Sequence, residues 1–240
     1  MPEQDEGRAI AFEKWWNVRD LGGLPTRNGG TTRHGVLLRA ASPGYASPAD
    51  VDRACRLGLT TFVDLRRPDH DPDWRDSTPG VTILDADLVS GLGPPREEIT
   101  PENLLRFLLD GGRKEVAGAV RTITAAARRS PPVVFHCHTG KDRTGLIAIL
   151  LLSLASVPVH AIVDDYLASN PGYEEMRRTL TAEIGSEFQA GAPAAVRGPV
   201  VRAAAEDALR FLDESGGAAA YLESGGLTAE EIDGAASLLR

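Results

Sequence analysis

The sequence has few cysteines and no long apolar run, and each absence excludes a class of protein. Two cysteines in 240 residues are too few for a disulfide framework or a cysteine-rich zinc site. The longest apolar run, at 145–155, is shorter than the roughly 18 residues of a membrane-spanning helix. The N-terminus, MPEQDEGRAI, shows neither the basic start nor the apolar core of a secretory signal. We expect a cytoplasmic protein without an integral membrane segment, with export lacking a recognisable signal as the alternative.

An excess of positive charge is also lacking. The chain has 26 lysines and arginines against 34 aspartates and glutamates, a formal net charge of −8. Nucleic-acid-binding proteins normally present a dominant basic surface, so we expect no nucleic-acid partner. Short basic pairs occur at 66–67, 128–129 and 177–178, and we interpret them as solvated surface.

Strand and helix patterns alternate in the first part of the chain. Short β-branched segments predict strands at 59–65, 81–88 and 133–135, after a strand-and-turn segment at 17–40. Apolar periodicity predicts helices at 48–57, 100–110, 115–129, 143–155, 158–169, 172–190, 200–214 and 228–239. This alternation implies the α/β class, with a mainly parallel central sheet flanked by helices and a helical C-terminal part. We expect one domain over 1–240, with a strand-rich half at 15–135 and a helical half at 146–240.

Two of these helices carry start signals, and one is unusually apolar. Ser47 before Pro48 is typical of an N-cap followed by proline at the first helical position. Thr228 and Glu231 have the spacing of a capping box. The segment 91–114 contains five apolar residues within 104–109, which fits a core helix, a dimer contact or a helical lid over a site.

The segment HCHTGKDRTG at 136–145 follows a buried strand and precedes a buried helix. Amides in such a loop and in the first helical turn have no intrahelical partner, and together with the helix dipole they attract an anion. A cysteine at the start of this loop, Cys137, is expected to ionise easily and to act as a nucleophile. Arg143 closes the loop, and its planar fork can bind two phosphate oxygens at once.

The same segment resembles the Cys-x5-Arg signature of the protein tyrosine phosphatase superfamily. Its GKDRTG form is similar to the loop of the bacterial tyrosine and lipid phosphatases related to a secreted mycobacterial enzyme. Three further segments resemble motifs of that family in the same order: NVRDLGG at 17–23, VDLR at 63–66 and DDYLASN at 164–170. The resemblance implies a protein-tyrosine-phosphatase-like fold and a cysteine-dependent phosphomonoester hydrolase without cofactor. Phosphotyrosine is the first expected substrate, with phosphoserine or phosphothreonine and phosphoinositides as alternatives, and inorganic phosphate is the product.

The resemblance also implies a phosphate-binding loop made of His138, Thr139, Gly140, Lys141, Asp142 and Arg143. Gly140 lets the loop curl tightly, and Thr144 is expected to donate a hydrogen bond to the cysteine sulfur. Lys141 adds positive charge that suits acidic substrates, or it balances Asp142. His136 is expected to orient the loop by hydrogen bonds, and His138 to contact substrate or nothing.

Four aspartates are candidates for the general acid that protonates the leaving oxygen. The resemblance offers Asp142 first, at the position of the family's loop aspartate, and Asp64 second, which ends the VDLR strand at a sheet edge where sites form. Asp85 and Asp87 follow the next strand and rank behind them. For each, a structural hydrogen-bonding role is the alternative.

The residues around the loop leave further alternatives. Arg19 and Asp20 are predicted to brace or border the site, or to close a surface turn. Cys55 is predicted to be a small buried residue of a helix. The His-Cys-His cluster lacks further histidines at ligand spacing, so we expect no metal. Lys141 does not belong to a nucleotide P-loop, because Asp142 replaces the required Ser or Thr.

Rival functions use the same anion site. Arsenate reduction or sulfur transfer also employs a cysteine in such a loop, although Cys55 shows no resolving-cysteine spacing to Cys137. A phosphate-binding module without catalysis would keep the loop, but such modules typically lack the cysteine or the arginine, and both are present here.

Overall fold

A computed structural model describes residues 7–68, 80–93, 97–185 and 192–240. Its central sheet has five strands in the order β1-β2-β5-β3-β4. The strands are β1 (Arg19–Asp20), β2 (Leu37–Ala40), β3 (Thr61–Asp64), β4 (Thr82–Asp85) and β5 (Val133–His136). β1 pairs antiparallel with β2, and the other neighbours are parallel. The predicted α/β class and mainly parallel sheet are confirmed.

The register of the sheet determines what lies beside the HCHTGKDRTG segment. Ala40 on β2 and Asp64 on β3 both align with His136, the last residue of β5. Because parallel strands end at the same edge, the chain leaves β5 between the ends of β2 and β3. Residues 41, 65 and 137 therefore begin three neighbouring connections at one edge of the sheet.

The helices of the described residues agree closely with the predicted ones. They are α1 (Pro48–Arg56), α2 (Leu104–Gly111), α3 (Arg113–Arg129), α4 (Asp142–Leu154), α5 (Val159–Leu167), α6 (Ser169–Ile184), α7 (Arg202–Glu214), α8 (Gly217–Ser224) and α9 (Ala229–Leu238). Ser47 and Thr228 form the capping boxes of α1 and α9. Sequence analysis missed α8, whose segment GAAAYLES begins between glycines. The predicted end of α6 at 186–190 lies outside the described residues.

Helix α4 forms the centre of the core. Its residues from 144 to 152 are buried, whereas the first two residues of the helix, Asp142 and Arg143, are half-buried. The helix contacts β2, β5 and several other helices. A helix that is apolar around its whole circumference is stable only when it is enclosed in this way. Its N-terminus is therefore held rigidly at the end of β5.

The apolar residues of α2 are part of the same core. Leu105, Leu108 and Leu109 belong to its main cluster, and α2 packs chiefly against α7. These leucines therefore lie in the core, which was one of the three alternatives for this helix beside a dimer contact and a lid. Residues 94–96 of the proposed lid segment lie outside the described residues.

The prediction for Cys55 was wrong. The residue lies on α1 as expected, but its side chain is exposed. The buried positions of α1 are Asp50 and Ala54. Cys55 follows Ala54 by one position, which turns it about 100° around the helix and away from the sheet.

None of the helices in the described ranges is long and apolar enough to cross a membrane.

Candidate active site

The segment 137–141 forms a loop between β5 and α4 at the carboxyl edge of the sheet. Gly140 lies in the left-handed region, with a φ of +71°. A side chain at this position would approach the backbone nitrogen of Ala41 to 2.5 Å and the carbonyl of Ala40 to 2.6 Å. Only glycine therefore allows the loop to bend here and to pack against the end of β2.

The carbonyl groups of the loop are held from outside by different parts of the chain. His136 Nδ1 lies 3.2 Å from the Cys137 oxygen, and the Ser42 amide donates to the His138 oxygen at 2.9 Å. Asn17 Nδ2 donates to the Thr139 oxygen at 2.8 Å.

Of the last two loop carbonyls, that of Gly140 is held from outside and that of Lys141 by the first turn of α4. Arg39 Nη2 donates to the Gly140 oxygen at 3.0 Å, and the Gly145 amide donates to the Lys141 oxygen at 2.9 Å. With their carbonyls bound in this way, the loop amides are left for a ligand, which is the arrangement of an anion-binding nest. The N-terminus of α4 adds its unpaired amides and its dipole at the same place.

Cys137 lies at the start of this nest, with its side chain 2% exposed. Burial alone would raise the pKa of the thiol. The positive charge of Arg143 and the hydroxyl and amide of Thr144 outweigh burial and lower the pKa of Cys137 below its ordinary value. Within the part of the chain that the structure describes, the Thr144 hydroxyl has no partner at full hydrogen-bond geometry, so its expected hydrogen bond to the sulfur is not formed at that geometry. The arrangement favours the thiolate.

Arg143 reaches back across the loop towards β3. Its Nη1 donates to the carbonyl of Leu65 at 3.4 Å, and the side chain is half-buried. The turn that carries this carbonyl is fixed by Asp64 and Arg66. The Asp64 carboxylate accepts hydrogen bonds from the backbone amide of Arg66 at 3.0 Å and from its guanidinium at 2.9 Å.

The buried pair of Asp64 and Arg66 bears on two expectations. Arg66 is fully buried, so the basic pair at 66–67 is not entirely solvated surface. Despite burial, the hydrogen bonds and charge of Arg66, with a contribution from His136, hold the pKa of Asp64 well below its usual range. A carboxylate that stays ionised in this way does not supply a proton at neutral pH, so the geometry favours the structural role for Asp64.

Asp142 is the first residue of α4 and has different surroundings. Burial raises the pKa of its carboxyl, and the charges of Lys141, Arg143 and the more distant Arg39 offset only part of this effect. Lys141 Nζ lies 3.0 Å from Asp142 Oδ2 and 4.9 Å from the ring centre of Tyr173 on α6. A carboxyl with a raised pKa near a thiol with a lowered pKa supplies an acid and a nucleophile to the same site.

A buried ionic cluster lies directly behind the loop. Asp165 on α5 pairs with Arg8, with Arg19 Nε at 3.2 Å and with Arg39 Nη1 at 2.8 Å. The charges of Arg19, Arg39 and Arg8 overcome burial and hold the pKa of Asp165 well below its usual range. Since Arg39 also binds the loop, the cluster connects β1, β2 and α5 to the Gly140 carbonyl.

Asp20, the neighbour of Arg19, closes a turn. Its two carboxylate oxygens accept hydrogen bonds from the amides of Gly22 at 2.8 Å and Gly35 at 2.7 Å. Arg19 thus braces the site through Asp165, whereas Asp20 has the turn-closing role that was its alternative.

Comparison with known proteins agrees with this geometry. The model of the tyrosine phosphatase family matches residues 10–239. The chain belongs to the tyrosine phosphatase family. A protein of Cupriavidus necator whose name classes it as a tyrosine-protein phosphatase is 33% identical over 87% of this chain and 80% of its own length. The tyrosine-protein phosphatase of Nostoc commune is 31% identical over 82% of this chain and 71% of its own.

Two more distant similarities were found. The triple specificity protein phosphatase PtpB of Mycobacterium tuberculosis is 28% identical over 72% of this chain and 73% of its own length. The crystal structure of TpbA from P. aeruginosa superposes with a TM-score of 0.44 and 23% identity, over 78% of this chain and 91% of that one. The predicted family, enzyme class and phosphatase function are confirmed by the family match and the sequence relatives.

In this phosphatase the loop residues predicted from the sequence lie together, but not all candidate acids do so. Asp85 ends the exposed edge strand β4. Asp87 accepts hydrogen bonds from Val89 and Ser90 in its own turn, and despite partial burial these bonds lower its pKa. Asp142 is therefore the candidate acid that the geometry favours.

Sequence analysis missed the residues that hold the loop from outside. Asn17, Arg39, Ser42 and Asp165 each contact the loop or the arginine that binds it. Asn17 and Asp165 stand inside the motif segments NVRDLGG and DDYLASN, so the motifs themselves were a signal. Arg39 and Ser42 had none, because they approach the loop only through the pairing of β2 with β5.

Proposed function

We propose that this phosphatase hydrolyses phosphotyrosine through a covalent phosphocysteine on Cys137. The observation that carries the proposal is the position of the buried Cys137 thiol at the start of a loop whose carbonyls all have hydrogen-bond partners. Such a loop presents its amides to a phosphoryl group, and Arg143 adds a bidentate cation. The amides of residues 138–143 are the proposed phosphate-binding groups.

In the first step the Cys137 thiolate attacks phosphorus. A P–S bond forms while the P–O bond to the tyrosine breaks, and Asp142 gives its proton to the departing phenolic oxygen. The loop amides and Arg143 stabilise the charge on the three equatorial oxygens in the transition state. The thiolate is both the nucleophile and the group that stores the phosphoryl.

In the second step water hydrolyses the phosphocysteine. The Asp142 carboxylate, ionised by the first step, takes a proton from the attacking water. The P–S bond breaks, the thiolate of Cys137 returns, and inorganic phosphate leaves. Asp142 is protonated again, so the cycle closes without a cofactor.

The family and the relatives support phosphotyrosine as the first substrate to test. The name of the mycobacterial relative states triple specificity, which makes phosphoserine, phosphothreonine and phosphoinositides the natural comparison panel. Nucleic acid is not among the proposed partners, in keeping with the net charge of −8.

The test is hydrolysis of para-nitrophenyl phosphate, followed by a phosphotyrosine peptide, with and without vanadate. We expect turnover in the wild type that vanadate blocks and that Cys137→Ser loses by at least about a thousandfold. Cys55→Ser is the matched control, because Cys55 is the other cysteine and is exposed on α1. This control should turn over like the wild type.

Rapid quench of the wild type in denaturant, with substrate labelled on its phosphate, should recover the label as phosphocysteine on Cys137. No turnover in folded, reduced wild type would overturn the proposal. Reduction of arsenate, or transfer of sulfur, by the same sample would then identify the rival chemistry, and tight phosphate binding without turnover would identify a binding module.

A further inference from the structure

Lys141 and Asp142 are neighbours in the loop but differ in their access to solvent. Lys141 Nζ lies 3.0 Å from Asp142 Oδ2 and 3.3 Å from Oδ1. The lysine side chain is 1% exposed, whereas that of the aspartate is 13% exposed. The carboxyl can therefore reach solvent or substrate while the ammonium is enclosed.

The ammonium group is held from its other side by an aromatic ring. Nζ lies 4.9 Å from the ring centre of Tyr173, within the range of a cation–π interaction. The ring is itself fixed, because Tyr173 is fully buried on α6 and its hydroxyl donates to the Arg197 carbonyl. Lys141 thus has a defined position beneath the loop.

In this position Lys141 is not placed to bind substrate. To reach a substrate phosphate, Lys141 would have to leave both the carboxylate and the ring. Asp142 would then lose its nearest cation while still largely buried, which strongly destabilises its ionised form. The energetically consistent partner of Lys141 is Asp142.

We propose that Lys141 is a positioning residue that fixes the orientation and protonation of Asp142 and does not contact substrate. The proposal rests on the proposed function of Asp142 as general acid. Sequence similarity associates Lys141 with acidic substrates. The proposal instead assigns it a role in proton transfer, through Asp142.

Several charged or titratable groups face Asp142. Of these, Lys141 is the one to replace in order to test its influence on the protonation of Asp142. They come from the loop, α4, β2 and α5: Cys137, Lys141, Arg143, Arg39 and Tyr166. Against the rise caused by burial, Lys141 lowers the pKa of Asp142 more than Arg143 or Arg39 does. Without its charge the Asp142 carboxyl should remain protonated to higher pH.

The experiment measures kcat/KM against pH for wild type, Lys141→Met, Lys141→Gln and Lys141→Arg. Two substrates are compared, para-nitrophenyl phosphate and a short-chain phosphoinositide. The alkaline limb of such a profile reports loss of the proton from the essential acid. We expect Lys141→Met and Lys141→Gln to move this limb to higher pH by about one unit, equally for both substrates. Lys141→Arg should keep the limb near its wild-type position.

Glutamine protects the test against misfolding, since its amide can still donate to Asp142 without charge. Lys114→Met is the matched control, because Lys114 is an exposed lysine at the start of α3, and it should leave the profile unchanged. A loss of kcat/KM confined to the phosphoinositide, with the limb in place, would identify Lys141 as a substrate contact and overturn the proposal. An equal loss at every pH without a shift of the limb would overturn it as well.

Asp142→Asn separates this proposal from the proposed function. If Asp142 is the general acid, this variant lacks the alkaline limb. A limb that persists in it overturns the role of Asp142 itself. A limb that disappears there but stays in place in Lys141→Met and Lys141→Gln overturns only the role of Lys141.

Discussion

Arg39 Nη2 donates a hydrogen bond of 3.0 Å to the carbonyl of Gly140. The other terminal nitrogen of the same guanidinium binds the Asp165 carboxylate at 2.8 Å. Burial and the nearby Arg19 lower the pKa of Arg39 to about 10 despite the attraction of Asp165, so the group stays charged at neutral pH. One enclosed side chain therefore connects the phosphate-binding loop to α5.

Replacing Arg39 by Met should weaken both the loop and the fold. The Gly140 carbonyl loses its donor, and Asp165 keeps only two of its three arginines. We expect a loss of about 3 kcal/mol in the free energy of unfolding and a fall of at least about tenfold in vanadate affinity. Urea unfolding and vanadate inhibition measure the two effects, and Arg178→Met, an exposed arginine of α6, is the control. Vanadate affinity unchanged in a folded variant would show that the loop does not need Arg39.

Two substitutions of Asn17 separate the effect of its side-chain hydrogen bond from the effect of its backbone conformation. Its φ of +57° is left-handed, which costs most residues roughly 1 kcal/mol, and its amide donates to the Thr139 carbonyl at 2.8 Å. Asn17→Gly keeps the conformation and removes the donor, whereas Asn17→Ala removes the donor and adds strain. We expect both to lower kcat/KM by about tenfold, and alanine alone to lower stability by about a further 1 kcal/mol.

The measurements for the Asn17 variants are steady-state kinetics and urea unfolding at one pH. Equal kcat/KM in Asn17→Gly and wild type would contradict a role for the amide in shaping the loop.

Asp64→Asn tests whether this carboxylate is structural. The buried partner Arg66 would lose its counter-charge, so stability at neutral pH should fall by about 3 kcal/mol. Arg143 should bind phosphate less well because the turn carrying the Leu65 carbonyl loosens. The alkaline limb of kcat/KM should stay in place, and a limb that vanished would restore Asp64 as the acid.

The same variant predicts a change in acid stability. The pKa of Asp64 in the folded state lies below that of the unfolded chain, so its contribution is present above about pH 4 and is lost as pH falls further. Urea unfolding between about pH 5 and pH 3 should therefore show a smaller loss in Asp64→Asn than in wild type. Asp52→Asn, an exposed position of α1, should follow the wild type.

The sequence predicted the sheet, most helices and the loop because these are local patterns. The β-branched strands, the capping boxes at Ser47 and Thr228 and the apolar stretch of α4 each determine their own conformation. Gly140, Cys137 and Arg143 were recognisable because anion binding requires those residue types at that spacing. Helix α8 was missed because its alanine-rich segment has almost no contrast between apolar and polar faces.

The groups that hold the loop could not be predicted, because they depend on pairings distant in sequence. Arg39 is separated from Gly140 by 101 residues and Asn17 from Thr139 by 122. Burial could not be predicted for the same reason. Cys55 and Ala54 are neighbours of similar size, and which of them is buried depends on the side of α1 that packs against the sheet. The burial of Arg66 likewise depends on the turn that it forms with Asp64.

Alkylation of Cys137 by iodoacetate as a function of pH tests the electrostatics of the site without turnover. Cys55→Ser is the background, since it leaves Cys137 as the sole thiol. Asp142 raises the pKa of Cys137 and Arg143 lowers it. Asp142→Asn should therefore move the alkylation midpoint to lower pH, and Arg143→Met should move it to higher pH, each by about one unit. A midpoint that stayed in place in both variants would contradict these charge effects and would mean that the thiolate is stabilised chiefly by the loop amides and the α4 dipole.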